Sequence, residues 1–553
     1  MSAVQRYHDG TKHHFERFAR SAGYLDWASQ PNPFRTYVGA PRYALFPAPG
    51  AAPAYQAPSP SYEGLFTSGC APEPFGAGPI GHLLRHAMGL SAWKQFRGSR
   101  WSLRVNPSSG NLHPTEAYVV CGSAAGFADG AAVYHYGPDR HALELRCTFD
   151  ERAWLSACGG RSDGLLVALS SIHWREAWKY GERAFRYCQH DLGHAIAALG
   201  IAAATVGWRA RLLPGWSHRA IGALAGLDRE GDFFNAERED PGALLAVGHG
   251  ELPETLWQDE GGLAAAVGAG RWVGAASQLS EDHVEWTFID EIARATQDPG
   301  RVVSRPPAEP AGGEDGLLPR TAVAAAPRVF PRGTDARTIL LQRRSAVAFD
   351  GRSTIDRASF TAMLSRVMPT PCPPWTSMWW TARVHLALFV HRVEGLEPGL
   401  YLLPRAPAAA DALRAACGRE FSWTPADPSL PLIHLAARDC RGLARRVSCD
   451  QDIASDGFFS LGMLAEFDAS VDLYGPSFYR QLFWETGVVG QVLYLEAEAA
   501  GARATGIGCF YDDPVHEVLG LKDHRFQSLY HFTVGMPVED ARLTTEPGYA
   551  WEA

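Results

Sequence analysis

The 553-residue chain has no Cys-x-x-Cys pair, although it holds ten cysteines, at positions 70, 121, 147, 158, 188, 372, 417, 440, 449 and 509. That scatter offers neither the paired thiolates of a zinc knuckle nor a redox motif of adjacent cysteines, and it reads as reduced thiols. Long apolar runs are missing as well. No window approaches the ~18 residues of a membrane span, and the opening "MSAVQRYHDGTKHHFERF" lacks the apolar core of a secretory signal. The expectation is a cytoplasmic enzyme with no membrane partner. The net charge of -9 is spread without any long block of one sign, so nucleic acid is not an expected partner. A dinucleotide fingerprint is absent too.

What is present is an ordinary globular composition, 46% hydrophobic and 20% charged, over a length that calls for two or more cores. Periodicity disappears in "PGRVVSRPPAEPAGGEDGLLPRTAVAAAPRVFPRG", residues 299–333, which reads as a linker. Strand-like runs lie on both sides of it, "EAYVVCG" and "LLVALSSI" before, "HLALFVHRV" and "YHFTVG" after. Each half also carries one strongly helical segment, about Leu192 to Val206 and Val488 to Ala500. Two α+β domains follow. The expected division is 1–60 as an N-terminal extension, 61–255 as the first domain, 256–333 as a helical tail and linker, and 334–553 as the second domain.

The halves also resemble each other. Laying "YGERAFRYCQHDLGHAIAALGIAAATVGW" over "YGPSFYRQLFWETGVVGQVLYLEAEAAGA" pairs Tyr180 with Tyr474, Gly181 with Gly475, Arg186 with Arg480, Gly193 with Gly487, Leu199 with Leu493 and Gly207 with Gly501, all at one offset. The same offset pairs Gly226-Leu227 with Gly520-Leu521. Coincident glycines over such a span favour an internal duplication. Two copies in one chain imply a pseudo-dimer, the fused form of a two-fold symmetric homodimer.

One stretch is richer in chemistry than in core. "RVNPSSGNLHPTE" contains Pro107, Ser108, Ser109, Gly110 and Asn111, a tight turn with several N–H and O–H groups and no bulky side chain in front of them. Such a turn approaches the flat polar edge of a ligand closely. Composition alone fits a serine-stabilised surface turn equally well.

The string "RVNPSSGNLHPTEAY", followed by "WKYGERAFRY" and "DLGHA", resembles the nitroreductase superfamily of FMN flavoproteins, and within it the SagB-type branch of azoline-oxidising dehydrogenases. In the second half "LQRRSAVAFDG", "GQVLYLEAEAAG" and "GIGCFYDDPVHEVLGL" look like the same family. The resemblance implies FMN held at the interface of a dimer. One partner's Arg-Arg-Ser motif and late arginine grip the phosphate, and the other's serine-glycine loop sits at the ring. Carried onto this chain, the cofactor-binding residues are Arg343, Arg344, Ser345, Arg542, Gly506, Ile507 and Gly508 from the second half. The first half supplies Pro107, Ser108, Ser109, Gly110 and Asn111. The family's further arginine two places after the serine is Val347 here, a gap in the phosphate grip. The first half's counterpart of the arginine motif is "SYEGLFT", with no cation, and the second half's counterpart of the serine loop is "PWTSMWW", with indoles where space is needed. One composite FMN site per chain is therefore expected, with the mirror site lost.

Catalysis is expected to share that asymmetry. Lys179-Tyr180 resembles the Lys-Tyr pair of the azoline-oxidising branch, and the duplicate reads Leu473-Tyr474. Aromatising an azoline requires a proton to leave ring carbon as two electrons go to the flavin. A lysine neutralised by desolvation, or a tyrosinate stabilised by that lysine, could take the proton. The implied substrate is a modified peptide or a small natural-product intermediate, with peptide-modifying enzymes as possible partners. Two other functions compete with this one, an NAD(P)H-dependent nitro or quinone reductase and a non-catalytic flavin-fold scaffold.

No metal is expected. "HDLGH" does put His190 and His194 one helical turn apart, as in zinc hydrolases, but Asp191 is short for the general base and no third ligand stands nearby, so His194 is assigned to packing between the halves. Asp191 and Glu485 are expected to pair with Arg186 and Arg480 in their own helices. Trp93, Trp101, Trp174, Trp178, Trp379, Trp380 and Trp484 either line a substrate cavity or pack in the core, the commoner fate of a tryptophan.

Overall fold

The computed structural model describes residues 1–45, 59–67, 69–250, 253–257, 259, 262–301, 334–418 and 420–552; residues 302–333, most of the expected linker, lie outside them. The strand-like runs are strands. Thr115–Cys121, Gly164–Ser171 and Val384–Val390 are rich in valine, leucine and alanine and almost wholly buried, so they read as continuous apolar runs rather than alternations. In the first half the strands lie side by side in the order Ala142–Phe149, Ala131–Gly137, Thr115–Cys121, Gly164–Ser171, Asp240–Gly248, Arg209–Leu212. In the second half the order is Ile433–Ala437, Gly399–Leu403, Val384–Val390, Phe459–Glu466, Phe526–Gly535, Arg503–Ile507. The two sequences of pairing are the same, every neighbour antiparallel.

Between the sheets two long helices cross, Ala184–Ala204 and Phe478–Ala499. Nearly every residue of each is buried, because each packs on its own sheet and on the other helix at once. Glycine permits the close approach. A Cβ on Gly193 would fall 2.2 Å from the Trp484 carbonyl oxygen, and one on Gly487 would fall 2.3 Å from that of His190. The two glycines paired in the sequence are thus the two that meet at the crossing.

The arginines of these helices act otherwise than expected. Arg186 reaches Asp512 of the second half at 2.8 Å, and Arg480 pairs with Asp240 of the first. Neither bonds the acid of its own helix, because these acids are spoken for elsewhere and the guanidinium reach suits the neighbouring half. Arg186 Nε also donates to Thr11 Oγ1, and Arg480 Nε to Thr296 Oγ1. Thr11 and Thr296 each follow a short helix, Ala3–Gly10 and Thr287–Ala295, and each hydroxyl turns back onto the carbonyl four residues earlier, Tyr7 or Ile292. The repeated unit therefore includes a leading helix, which identity of sequence does not show.

The halves are also laced together at one edge. Thr544–Pro547 joins the hairpin Leu90–Phe96 and Ser99–Arg104 as a third strand, Trp93 Nε1 donates to the Gly548 carbonyl, and Arg85 pairs with Glu552 at 2.6 Å.

Candidate functional site

The serine-glycine loop forms a short turn in which Gly110 and Asn111 both have positive φ, +59° and +61°. Glycine is required at 110 for space as well as for φ. A Cβ there would lie 2.6 Å from Tyr180 Oη and 3.2 Å from Lys179 Nζ. The loop and the Lys179-Tyr180 pair, far apart in sequence, are in contact. Lys179 and Tyr180 end the helix His173–Tyr180, with Lys179 exposed and Tyr180 half-buried. Gly181 follows at φ +54°, packed against the backbone of Arg20 and Ser21. The N-terminal extension is thereby a wall of the site: Glu182 N–H donates to the Arg20 carbonyl and Trp178 Nε1 to that of Asp26.

Behind the loop are two carboxyls. Ser109 donates to Asp191 through both its backbone N–H and its hydroxyl, at 3.0 Å each to Oδ1. Burial pushes Asp191 up to about 7 against the Ser108 and Ser109 hydrogen bonds, which favour its charge. Glu176 beside it is pushed well above the carboxylate range, by burial and then by Asp191. Burial, with Glu176 and Tyr187 alongside, also pushes the Tyr180 phenol well above its ordinary value, so a resting tyrosinate does not fit this environment.

The second half closes over the same place. Gly508 lies against Tyr187, where a Cβ would come within 2.1 Å of the ring, and Tyr187 lies 4.4 Å from Tyr180, centroid to centroid. Gly506 donates its N–H to Tyr494 Oη and leaves room for Tyr530 Oη, 1.9 Å from where a Cβ would stand; Ile507 between them is buried. Ser345 Oγ bonds the same Tyr494 hydroxyl at 2.9 Å. Arg343 is buried and spans the halves, donating to the Val105 and Arg104 carbonyls just ahead of the loop. Arg344 donates to Leu341, Arg343 and Ser91 carbonyls. Burial, then the Arg343 charge, pulls Arg344 down to about 10, and Arg503 adds to that repulsion. Guanidiniums that repel one another in a shielded place suit an anion.

Arg542 is not among them. Its side chain is 74% exposed and its fork is held by Asp540. Arg503 and Lys94 stand nearer to Arg344, and neither was legible as a site residue, since one opens a strand and the other sits in a hairpin of the opposite half.

The mirror position is filled. Trp379 packs on Tyr474 at 5.5 Å, where the first half has Gly110 against Tyr180, and the Arg301 guanidinium lies 4.9 Å from the Trp379 ring. Glu485, the counterpart of Asp191, accepts from Trp380 Nε1, the backbone N–H groups of Arg383 and Val384, and Arg405 Nη1. In "SYEGLFT" Glu63 pairs with Arg366, so an acid stands in the segment that would need a cation. Most of the singled-out indoles make structural bonds: Trp174 to Ser280, Trp484 to Gln189, Trp93 and Trp178 as above. His190 bonds Thr486 and stacks on Tyr530 at 4.1 Å, while His194 packs against Gly490. Among the described residues no cluster of metal-ligating groups occurs, and no helix is long and apolar enough to cross a membrane.

Two sheets of equal strand order, backing onto crossed central helices, are an arrangement this chain shares with a solved structure of the nitroreductase fold. Along 97% of its length the chain matches the whole of a crystal structure from Anabaena variabilis, itself provisionally named a nitroreductase, at a TM-score of 0.69 and 22% identity. A stretch of 60 residues is 32% identical to a provisionally named nitroreductase of Methanocaldococcus jannaschii; it is 11% of this chain and spans 30% of that relative. An Escherichia coli microcin synthetase complex with truncated pro-MccB17 bound aligns with 37% of the chain and 77% of its own, at 20% identity and a TM-score of 0.26. No family model matches the chain.

Proposed function

We propose that the chain is an FMN-dependent oxidoreductase with a single composite site, and that it oxidises azoline rings, or a related natural-product intermediate, in the manner of SagB-type dehydrogenases. The observation that carries this reading is the contact of Gly110 with Lys179 and Tyr180, faced by Gly506 and Gly508 of the other half. The residues fit the cofactor. Gly110 and Gly508 bring the backbones of both halves against the Tyr180 and Tyr187 rings without a side chain between, and Arg343, Arg344 and Ser345 with Arg503 form the cationic end. FMN bound there supplies a two-electron acceptor.

The chain's own residues handle the proton. Tyr180, kept protonated by burial, donates a hydrogen bond and orients the substrate. Lys179, an exposed residue whose Nζ lies against the loop at Gly110, is the group placed to take the proton from ring carbon. The Ser109–Asp191 bonds fix the loop that both of them touch.

The test is the flavin-to-protein ratio and absorbance spectrum of the purified chain, with FMN identified after heat release, followed by anaerobic mixing with a thiazoline-containing peptide. About one FMN per chain, bleached by the peptide, supports the reading. Two per chain overturns the single site, and bleaching by NAD(P)H alone assigns a reductase. None, even after reconstitution, leaves a scaffold.

A further inference from the structure

Cys449 and Cys509 stand apart from the other eight cysteines. Their Sγ atoms are 3.0 Å apart, and both residues are half-buried, as are Cys70 and Cys372, while the other six are sealed in the core. The two loops that carry them are already joined by their backbones. Tyr511 N–H donates to the Val447 carbonyl at 2.9 Å, and the Gln451 side-chain amide donates to the carbonyls of Cys509 and Ser448 at 3.0 and 2.9 Å. Drawing the sulfurs together needs no large backbone movement. Cys449 and Asp450 both hold positive φ, a tight turn that aims the first thiol at the second.

The surroundings favour a thiolate on Cys509. The Cys449 thiol, then the His13 imidazole and the Arg183 charge, hold Cys509 below the usual range for a cysteine in spite of burial. His13 Nδ1 accepts the Ala19 backbone N–H, so in the neutral ring the hydrogen is on Nε2, a donor. Burial pushes the thiols of Cys121, Cys147, Cys158, Cys188, Cys417 and Cys440 up, which makes them inert.

We propose that Cys449 and Cys509 are a thiol–disulfide redox site at the rim of the composite site, one that reacts with small-molecule disulfides. The Cys509 thiolate attacks one sulfur of RSSR, forming a mixed disulfide and expelling RS⁻. Cys449 gives its proton to that RS⁻, attacks the Cys509 sulfur and expels the second thiolate, which is protonated from water. Two protein thiols are oxidised and RSSR is reduced to two RSH. Cys509 adjoins Gly508, which packs on Tyr187, so the oxidation state of the pair is felt beside Tyr180.

The experiment is thiol mapping of the full chain by differential alkylation and peptide mass spectrometry, after incubation with oxidised glutathione and after subsequent reduction with dithiothreitol. The expected product is one cross-linked peptide joining Cys449 to Cys509, lighter than the reduced pair by two hydrogens, with both thiols restored by the reductant. In Cys449→Ser the reaction should stop at glutathione on Cys509. The proposal is overturned if both cysteines stay alkylatable, or if the wild-type chain retains glutathione on Cys509 without closing the pair. This readout needs no flavin, so its failure and the failure of the oxidoreductase reading are separate results.

Discussion

Asp191 and Glu485 occupy matching places on the two central helices, yet one meets a serine pair in a shielded pocket and the other a full set of cationic and N–H donors. The folded chain binds the Asp191 proton more tightly than the unfolded chain does, with titration at about 7 against about 4. Its contribution to stability is therefore intact below about pH 4 and declines as pH rises through about 7. Asp191→Asn keeps an acceptor for Ser109 and removes the charge, so its melting temperature should exceed the wild type's by a few degrees at pH 8 and match it at pH 4. At the mouth of the site, Lys179→Ala should leave the flavin ratio unchanged and slow turnover by about a hundredfold, the usual worth of a positioned proton acceptor. Unaltered turnover on the true substrate would remove Lys179 from the mechanism. Gly110→Trp should place an indole against Tyr180 as Trp379 lies against Tyr474, and yield a folded protein without flavin, seen as a normal circular dichroism spectrum and no visible absorbance.

At the scale of elements the helix crossing governs how the halves meet. A side chain at Gly487 would collide with the His190 carbonyl and with Gly193, and backbone on both sides has nowhere to retreat. Gly487→Val is expected to cost about 3 kcal/mol, the upper part of the range for overpacked cores, read as a shift of the denaturant midpoint. Gly442→Ala, in the helix Arg441–Val447 with open space around its Cα, should instead be neutral or stabilise by about 0.5–1 kcal/mol. Elements of this kind were legible in the sequence. The apolar runs gave the strands their places, and the glycines that recur at one offset turned out to be the crossing pair. The helix Ala3–Gly10 was not recognised as the partner of Thr287–Ala295, because the link is a threonine hydroxyl bonded to an arginine from a distant helix and no run of residues repeats.

For the whole molecule, asymmetry is the main outcome: one side is polar and glycine-lined, the other is filled by Trp379, Trp380 and Arg301. The sequence disclosed that contrast through residue types alone, since an indole cannot do a glycine's work in a tight loop. It did not disclose Arg503 and Lys94 beside Arg344, nor Ser109 on Asp191, nor Cys449 against Cys509, because each of these contacts joins segments whose spacing carries no periodic signal. Arg542 illustrates the converse, since a position inherited from a motif says nothing about the Asp540 carboxylate two residues away that holds it at the surface.

The strand Thr544–Pro547 adds a consequence in time. Its partner, Leu90–Phe96, is made well before it, and the hairpin with Ser99–Arg104 must wait as an open edge until the strands of both sheets have emerged. Contacts of such sequence separation are slow to close, and an unpaired edge invites strands from other molecules in the interval. The order of manufacture thus leaves the nascent protein exposed to association with its neighbours until Thr544–Pro547 arrives.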